Sequence, residues 1–262
     1  MKPGNKTFKK GEIEKLKNQI RRWLEEGSVP NAPRDDVTIL HFLQGCKYRL
    51  EESKSKMKKN YQFRKENPQW FSNRDPQLPD IDEYYSQGIA LFLPHEDKTK
   101  PAILLSRTNY HDPSMSMDSY LKMNFMIMDL AMKEDLSLTK DGIILIVDLQ
   151  GTTFSHASKK MMYMRKILYW WFSCFPLRFQ QLHFVNFSPW LTYCLNFIKS
   201  FMKDKLKKRI VIHKKVEDLR DHLDPRILPV EYGGEGGSVD DLRDLWKRKV
   251  NDNRDWFLST QS

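Results

Sequence analysis

Ile143 to Val147 is a run of five apolar residues with no polar alternation, entered from Gly142 and closed by Asp148. A strand with one wet face alternates. An unbroken aliphatic run suits a strand covered on both faces, which points to the inside of a mostly parallel sheet. Parallel neighbours cannot be joined by a hairpin, so long crossovers must flank such a strand. The chain supplies them. Four further apolar runs read as strands: Gly88 to Leu93, Ala102 to Arg107, His183 to Phe187 and Arg209 to His213. Helical stretches separate the later ones, about Met117 to Lys133, Ser158 to Trp171 and Trp190 to Leu206. The expected fold class is α/β, a mostly parallel five-stranded sheet with crossover helices.

The N-terminal part follows another rule. Ile13, Leu16, Ile20, Trp23 and Leu24 recur at helical spacing, and Gly27 supplies a stop. A second helix is expected from Asp35 or Asp36 and a third from Leu50 to Glu66, ending before Pro68. Pro76 and Pro79 then read as a linker. At 262 residues the chain has room for a large core and a smaller appendage. The expected organisation is a flexible basic tail over 1–10, a helical bundle over 11–78, the sheet domain over 79–237, and a C-terminal helix and tail over 238–262. Gly233, Gly234, Gly236 and Gly237 close the sheet domain, and Leu242, Leu245 and Trp246 mark the last helix.

Three crossover helices are greasier than a sheet cover requires. The first carries Leu121, Met123, Phe125, Met126, Ile127, Met128 and Leu130 nearly all round. The second adds Met161, Met162, Met164, Ile167, Leu168, Trp170, Trp171, Phe172 and Phe175. In the third, Trp190 to Met202, the polar residues Thr192, Asn196, Lys199 and Ser200 fall in a single stripe too narrow to solvate the helix. Methionines and aromatics make adaptable apolar walls, so an internal apolar cavity is expected. Directly after the third helix stand Lys203, Lys205, Lys207, Lys208, Arg209, Lys214 and Lys215, with Asp204 against them, in a chain of net charge +10. Grease beside concentrated positive charge fits an anionic membrane surface. Nucleic acid is the weaker partner for this patch, because a specific reader has no use for greasy helices beside it.

Several classes are set aside. The N-terminus lacks the apolar core of a signal peptide, and no run approaches a membrane span. A soluble, cytoplasmic protein that meets membranes transiently is expected. Cys46, Cys174 and Cys194 share no metal-like spacing and fit reduced thiols. There is no GxSxG elbow, no phosphate-cradling glycine loop, no HExxH and no paired CxxC. Ser155 and His156 are sequence neighbours, which rarely aim at each other, and Asp148 reads as a loop anchor before it reads as a catalyst. The expectation is a non-enzyme without metal or cofactor, holding a hydrophobic ligand.

These residues resemble a known family. Asp36 to Arg49, with the triplet His41-Phe42-Leu43, and then Phe63-Arg64 before Pro68, look like the N-terminal helical module of the CRAL-TRIO lipid-transfer family. Gly142 to Gly151 with Phe154 to Ala157, Phe175 to Arg178, His183 to Asn186, Lys199 to Phe201 and Leu228 to Gly234 resemble its later motifs, in order. The resemblance covers roughly residues 10 to 258 and runs closest to the α-tocopherol-transfer and retinaldehyde-binding branch. It implies a sheet floor, a hydrophobic cavity and a mobile helical lid. At matching positions the ligand would meet Ile143, Leu145 and Val147 on the floor and Phe154, Ile167, Trp170, Trp171, Leu177, Phe179 and Leu182 on the walls, with Phe125 and Met128 of the first crossover beside them. Trp190, Leu191, Cys194, Leu195, Ile198, Phe201 and Met202 would form the lid. A phosphoinositide headgroup or anionic membrane would be held by Arg178, Lys205, Lys208 and Arg209. This chain has Gln180 and Cys46 at two further family basic positions. Its Asn186-Phe-Ser-Pro189 is one residue longer than the usual Asn-x-Pro, and Ser200 replaces a usual proline. The implied function is a carrier of a small hydrophobic molecule such as a tocopherol, retinoid or carotenoid. Phosphatidylinositol or phospholipid exchange, and lipid sensing without net transfer, are the alternatives.

Overall fold

The unbroken strand sits where its composition requires. In the computed structural model, which describes residues 8–107 and 116–260, β3 (Ile143–Asp148) is the central strand of a five-stranded sheet ordered β1-β2-β3-β4-β5. β1 (Ala90–Phe92) pairs antiparallel with β2 (Ala102–Arg107). β2, β3, β4 (Phe179–Val185) and β5 (Ile210–Ile212) are all parallel. The helices between them therefore serve as crossovers. Seven residues of the tail expected over 1–10 lie outside the described residues.

Five helices precede the sheet: α1 (Lys10–Glu25), α2 (Asp36–Gly45), α3 (Leu50–Glu66), α4 (Pro68–Phe71) and α5 (Pro79–Ser86). Asp35 caps α2 by accepting from the Thr38 amide at 2.8 Å, so the second helix starts where an acidic N-cap predicts. Ile39, Phe42 and Leu43 of α2 bury against Ile20, Leu24 and Met57 in a small core of their own. The stretch read as a linker instead opens α5 with Pro79 in its first turn, a position where the missing N–H costs nothing.

Between β2 and β3 run α6 (Met117–Glu134) and α7 (Ser137–Asp141). Between β3 and β4 come α8 (Phe154–Tyr169) and a π-helical turn, Trp170–Cys174. Thr153 caps α8 in a box with His156, whose Nδ1 lies 2.7 Å from the Thr153 hydroxyl. That placement gives His156 a structural task. An aromatic wall joins the N-terminal helices to this crossover: Phe71 stacks on Phe125 (4.9 Å between ring centroids), Phe125 meets Trp170 (4.4 Å), and Trp170 stacks on Phe175 (4.1 Å).

β4 begins four residues before the expected His183. Its start was hidden because Gln180 and Gln181 interrupt the apolar run at an irregularity in the β3–β4 register. The last crossover is broken into three pieces: a 3₁₀ turn (Pro189–Leu191), α9 (Thr192–Ser200) and α10 (Asp204–Lys207). The chain ends in α11 (Val239–Asp252) and a further helix, α12 (Arg254–Ser259), whose Phe257 is fully buried.

Candidate functional site

Strand register decides which side chains share the sheet face. Side chains alternate along a strand, and laterally paired residues point the same way. Leu145 pairs with Leu182 and Val147 with Phe184, so these four lie on one face with Ile143, whose own partner, Phe179, stands across the register shift at the start of β4. Ile143, Phe179 and Leu182 are buried, whereas Leu145 and Val147 are only half-buried. For the middle strand of five that is unusual: neighbours flank it on both sides, yet the C-terminal half of the face keeps accessible apolar surface. Trp171 and Phe172 lean on Phe179, at 5.0 and 5.9 Å. Ile167 and Ile198, also half-buried, pack against the same core. Leu177 is buried just ahead of β4.

Other expected wall residues lie elsewhere. Phe125 and Trp170 belong to the aromatic wall facing the N-terminal helices, and Met128 is buried within α6. Phe154 is 78% exposed, because the first turn of α8 stands out past the end of β3. A cleft of about 1040 Å³ opens in the molecule, but it lies between the N-terminal helices, α6 and α12, and none of the expected ligand-lining residues borders it.

α9 has two apolar faces. Leu191, Leu195 and Met202 are buried and Cys194 and Ile198 half-buried, making an inner stripe that recurs at helical spacing. Trp190, Tyr193, Phe197 and Phe201 form a second stripe that faces outward, with Tyr193 85% exposed. Tyr193 and Phe197 were not singled out from the sequence. The signal was there, since a helix apolar nearly all round must show part of its grease to something. α8 packs beside α9 and adds exposed Met162 and Phe154. Scattered surface apolar residues are ordinary, but a contiguous aromatic group marks an interaction surface.

A basic group lies in the N-terminal helices and the two strand entries. Gly45 ends α2 hard against Pro176, where a Cβ would overlap the Pro176 carbonyl. Lys47 and Tyr48 follow with φ of 55° and 58°, a left-handed backbone that non-glycine residues adopt only when held. This tight turn brings Lys47 among Arg178, Lys205, Arg49 and Arg209. Desolvation first, and then the crowding of these four charges, hold its ammonium below the ordinary lysine value. Burial likewise lowers the Arg178 guanidinium, which donates to the carbonyls of Thr139 and Lys140, while Asp141 opposes the shift. Arg209 donates to the Phe179 carbonyl. Lys208 is exposed beyond α10, outside the charges that press on Lys47.

Cys46 is buried, and burial raises its thiol. Gln180 is spent on the Asp141 carbonyl at 2.6 Å. One residue after Cys46, the left-handed turn sets the exposed Lys47 beside the other basic charges. Asp148 is a structural anchor: it is 1% exposed and accepts from the Tyr232 hydroxyl (2.6 Å), Asn186 Nδ2 (2.8 Å) and the Gln150 amide (2.9 Å). Among the described residues no helix is long and apolar enough to cross a membrane.

Comparison with known proteins agrees with this architecture. Residues 86–234 match the CRAL/TRIO domain, and residues 9–81 match the domain described as Pinta-like, UBA. Clavesin-1 of Xenopus laevis and clavesin-2 of Homo sapiens are each 31% identical to the chain over 204 residues, which is 76% of it. Those residues span 61% and 62% of the two relatives' own lengths. The crystal structure of Sfh5 superimposes with a TM-score of 0.63 at 12% identity, covering 90% of this chain and 92% of that one, which speaks for the fold alone. A parallel sheet with a half-covered face and a sequence match over the whole sheet region lead to one assignment: the chain belongs to the CRAL/TRIO family.

Proposed function

We propose that the chain carries a small hydrophobic molecule between the sheet face at Leu145 and Val147 and the inner stripe of α9, and releases it on anionic membranes. The observation that carries this reading is the pairing of two surfaces. An outward aromatic stripe on the lid, Trp190, Tyr193, Phe197 and Phe201, belongs to the same crossover as Lys205, which crowds Lys47 together with Arg178 and Arg209. Basic side chains near an anionic bilayer contribute about 1 kcal/mol each. Each aromatic side chain moved from water into the interface adds up to roughly 1.5–3 kcal/mol. Together they hold the lid against lipid, where swinging its inner stripe open no longer exposes Leu195 and Met202 to water.

Among the described strand residues the face at Leu145 and Val147 is aliphatic and aromatic apart from the Ser106 hydroxyl beside Val147, and none of them is charged. That favours a molecule with a small polar head, such as a tocopherol, retinoid or carotenoid, over phosphatidylinositol. The burial of several hundred Å² of ligand at about 25 cal/mol per Å² makes a shielded carrier worthwhile. Transfer of retinol, followed by its own fluorescence, tests the mechanism. Lys205→Ala with Arg209→Ala is expected to slow transfer to phosphatidylserine-containing vesicles roughly tenfold or more, from the loss of two charges. Transfer to phosphatidylcholine vesicles and retinol affinity should be unchanged. Equal slowing to both vesicle types would sink the electrostatic step.

A further inference from the structure

The 1040 Å³ cleft away from the lid has its own chemistry. At its wall Asp129 is shared by two arginines, Arg64 at 2.7 Å and Arg74 at 2.8 Å, one on each carboxylate oxygen. Two guanidinium ions against one carboxylate leave a positive charge over. Bulk water screens it little, since the Arg74 side chain is 1% exposed and Arg64 and Asp129, which keep an edge toward the cleft's side, are 14% and 11% exposed. Asp129 is also the carboxylate whose charge acts most on Arg74. Phe71 beneath Arg64 (4.6 Å) and Phe257 beneath Arg74 (5.1 Å) offer ring faces but no formal charge. Arg74 Nε has no hydrogen-bond partner. A buried cationic donor left unmatched is costly, and a planar guanidinium is built to receive an oxyanion.

The rest of the cleft suits such a guest. Lys58, Lys65 and Lys133 add positive charge at its border. Tyr61, Met132, Trp256 and Val37 line it as well, Val37 being 44% exposed although it belongs to a packed helix, and the one further carboxylate in the lining, Asp35, is engaged in capping α2. A few convergent polar groups on an otherwise apolar wall are the usual make-up of a small-molecule site.

We propose that this cleft is a second binding site, for an organic oxyanion: a carboxylate or phosphate ester on an apolar body, its charged end on Arg74 and Arg64 beside Asp129. It stands independently of the lid reading, because it shares no residue with that face. The ligand would bridge the N-terminal helices, α6 and α12, and so tie the appendage to the sheet domain.

Phenyl phosphate is the probe, and the Nε–H resonance of Arg74 in the full chain is the reporter, assigned by its loss in Arg74→Lys. The expected result is a saturable downfield shift with phenyl phosphate that sodium chloride at matched ionic strength does not reproduce. Inorganic phosphate should bind at least tenfold more weakly, for want of the apolar body. Because Arg74→Lys disturbs the buried cluster, the decisive variant is Val37→Glu, a change at an exposed site in the first turn of α2 that puts a carboxylate into the cleft. It should weaken phenyl phosphate at least tenfold while the thermal midpoint stays put. An Arg74 signal unmoved by phenyl phosphate, or affinity unchanged in Val37→Glu, overturns the proposal. Equal affinity for inorganic phosphate overturns the organic part of it.

Discussion

Gly45 has no room for a side chain. A Cβ there would run into the Pro176 carbonyl, and the α2–α3 turn that follows carries Lys47 into the basic group. Gly45→Ala should therefore destabilise by roughly 1–3 kcal/mol, as overpacking does, measured by urea unfolding. It should also weaken binding to anionic vesicles, because the turn must retreat from Pro176. His183 gives a second test. Its ring is fully buried, with Nδ1 2.8 Å from His213 Nε2, and burial, then His213 and His222, pull its pKa from 6.5 down to about 4. Folding thus favours the neutral ring. Its contribution is complete above about pH 6.5 and is lost as pH falls toward 4, at most about 3 kcal/mol from this group. Urea midpoints should drop between pH 7 and pH 4.5, and His183→Gln should flatten that slope; an unaltered slope would assign it to other groups. Neither residue's role could be read from the sequence. A glycine before a cysteine looks like any helix stop, and three dispersed histidines meet only once β4, β5 and the segment after them are in place.

At the scale of elements, α9 is the part that works in two directions. Its all-round apolar pattern announced that it must touch something greasy, and the structure resolves the pattern into an inner stripe on the core and an outer stripe on the surface. Tyr193→Ser with Phe197→Ser should cut association with vesicles of either charge several-fold in a flotation assay, while leaving retinol affinity and stability near the wild type. Leu195→Ser, on the inner stripe, should do the opposite and destabilise the fold. If the outer pair changes nothing at a bilayer, the stripe has another purpose. The breaks at Pro189 and at Phe201–Lys203 were less legible, since hydrophobic periodicity passes through a short irregularity without registering it. The mostly parallel sheet was legible because β3 admits few surroundings. The half-buried state of Leu145 and Val147 was not, because five aliphatics read alike whether the space above them is filled or open.

The whole molecule depends on a junction between its N-terminal helices and the sheet domain. Rings from α4, α6 and the π-helical turn form one wall, and Asp129 pins Arg64 and Arg74 from the appendage onto α6. Asp129→Ala strands two buried guanidinium ions and should cost roughly 3–5 kcal/mol in a thermal or urea melt. The sequence marked Phe63-Arg64 as a motif, yet its partner sixty-five residues on could be found only in three dimensions. Beyond this frame, the proposed carrier function requires room for an apolar guest between β3 and α9. Native mass spectrometry of the expressed chain, wild type beside Leu145→Trp, tests it most directly. One retained hydrophobic molecule is expected on the wild type, displaced in Leu145→Trp, with the variant's melting temperature near or above the ligand-free wild type because the indole fills open space. A wild type that carries nothing and takes up no retinol, with a Leu145→Trp variant that fails to fold, would mean the face is packed solid and contradict the carrier function.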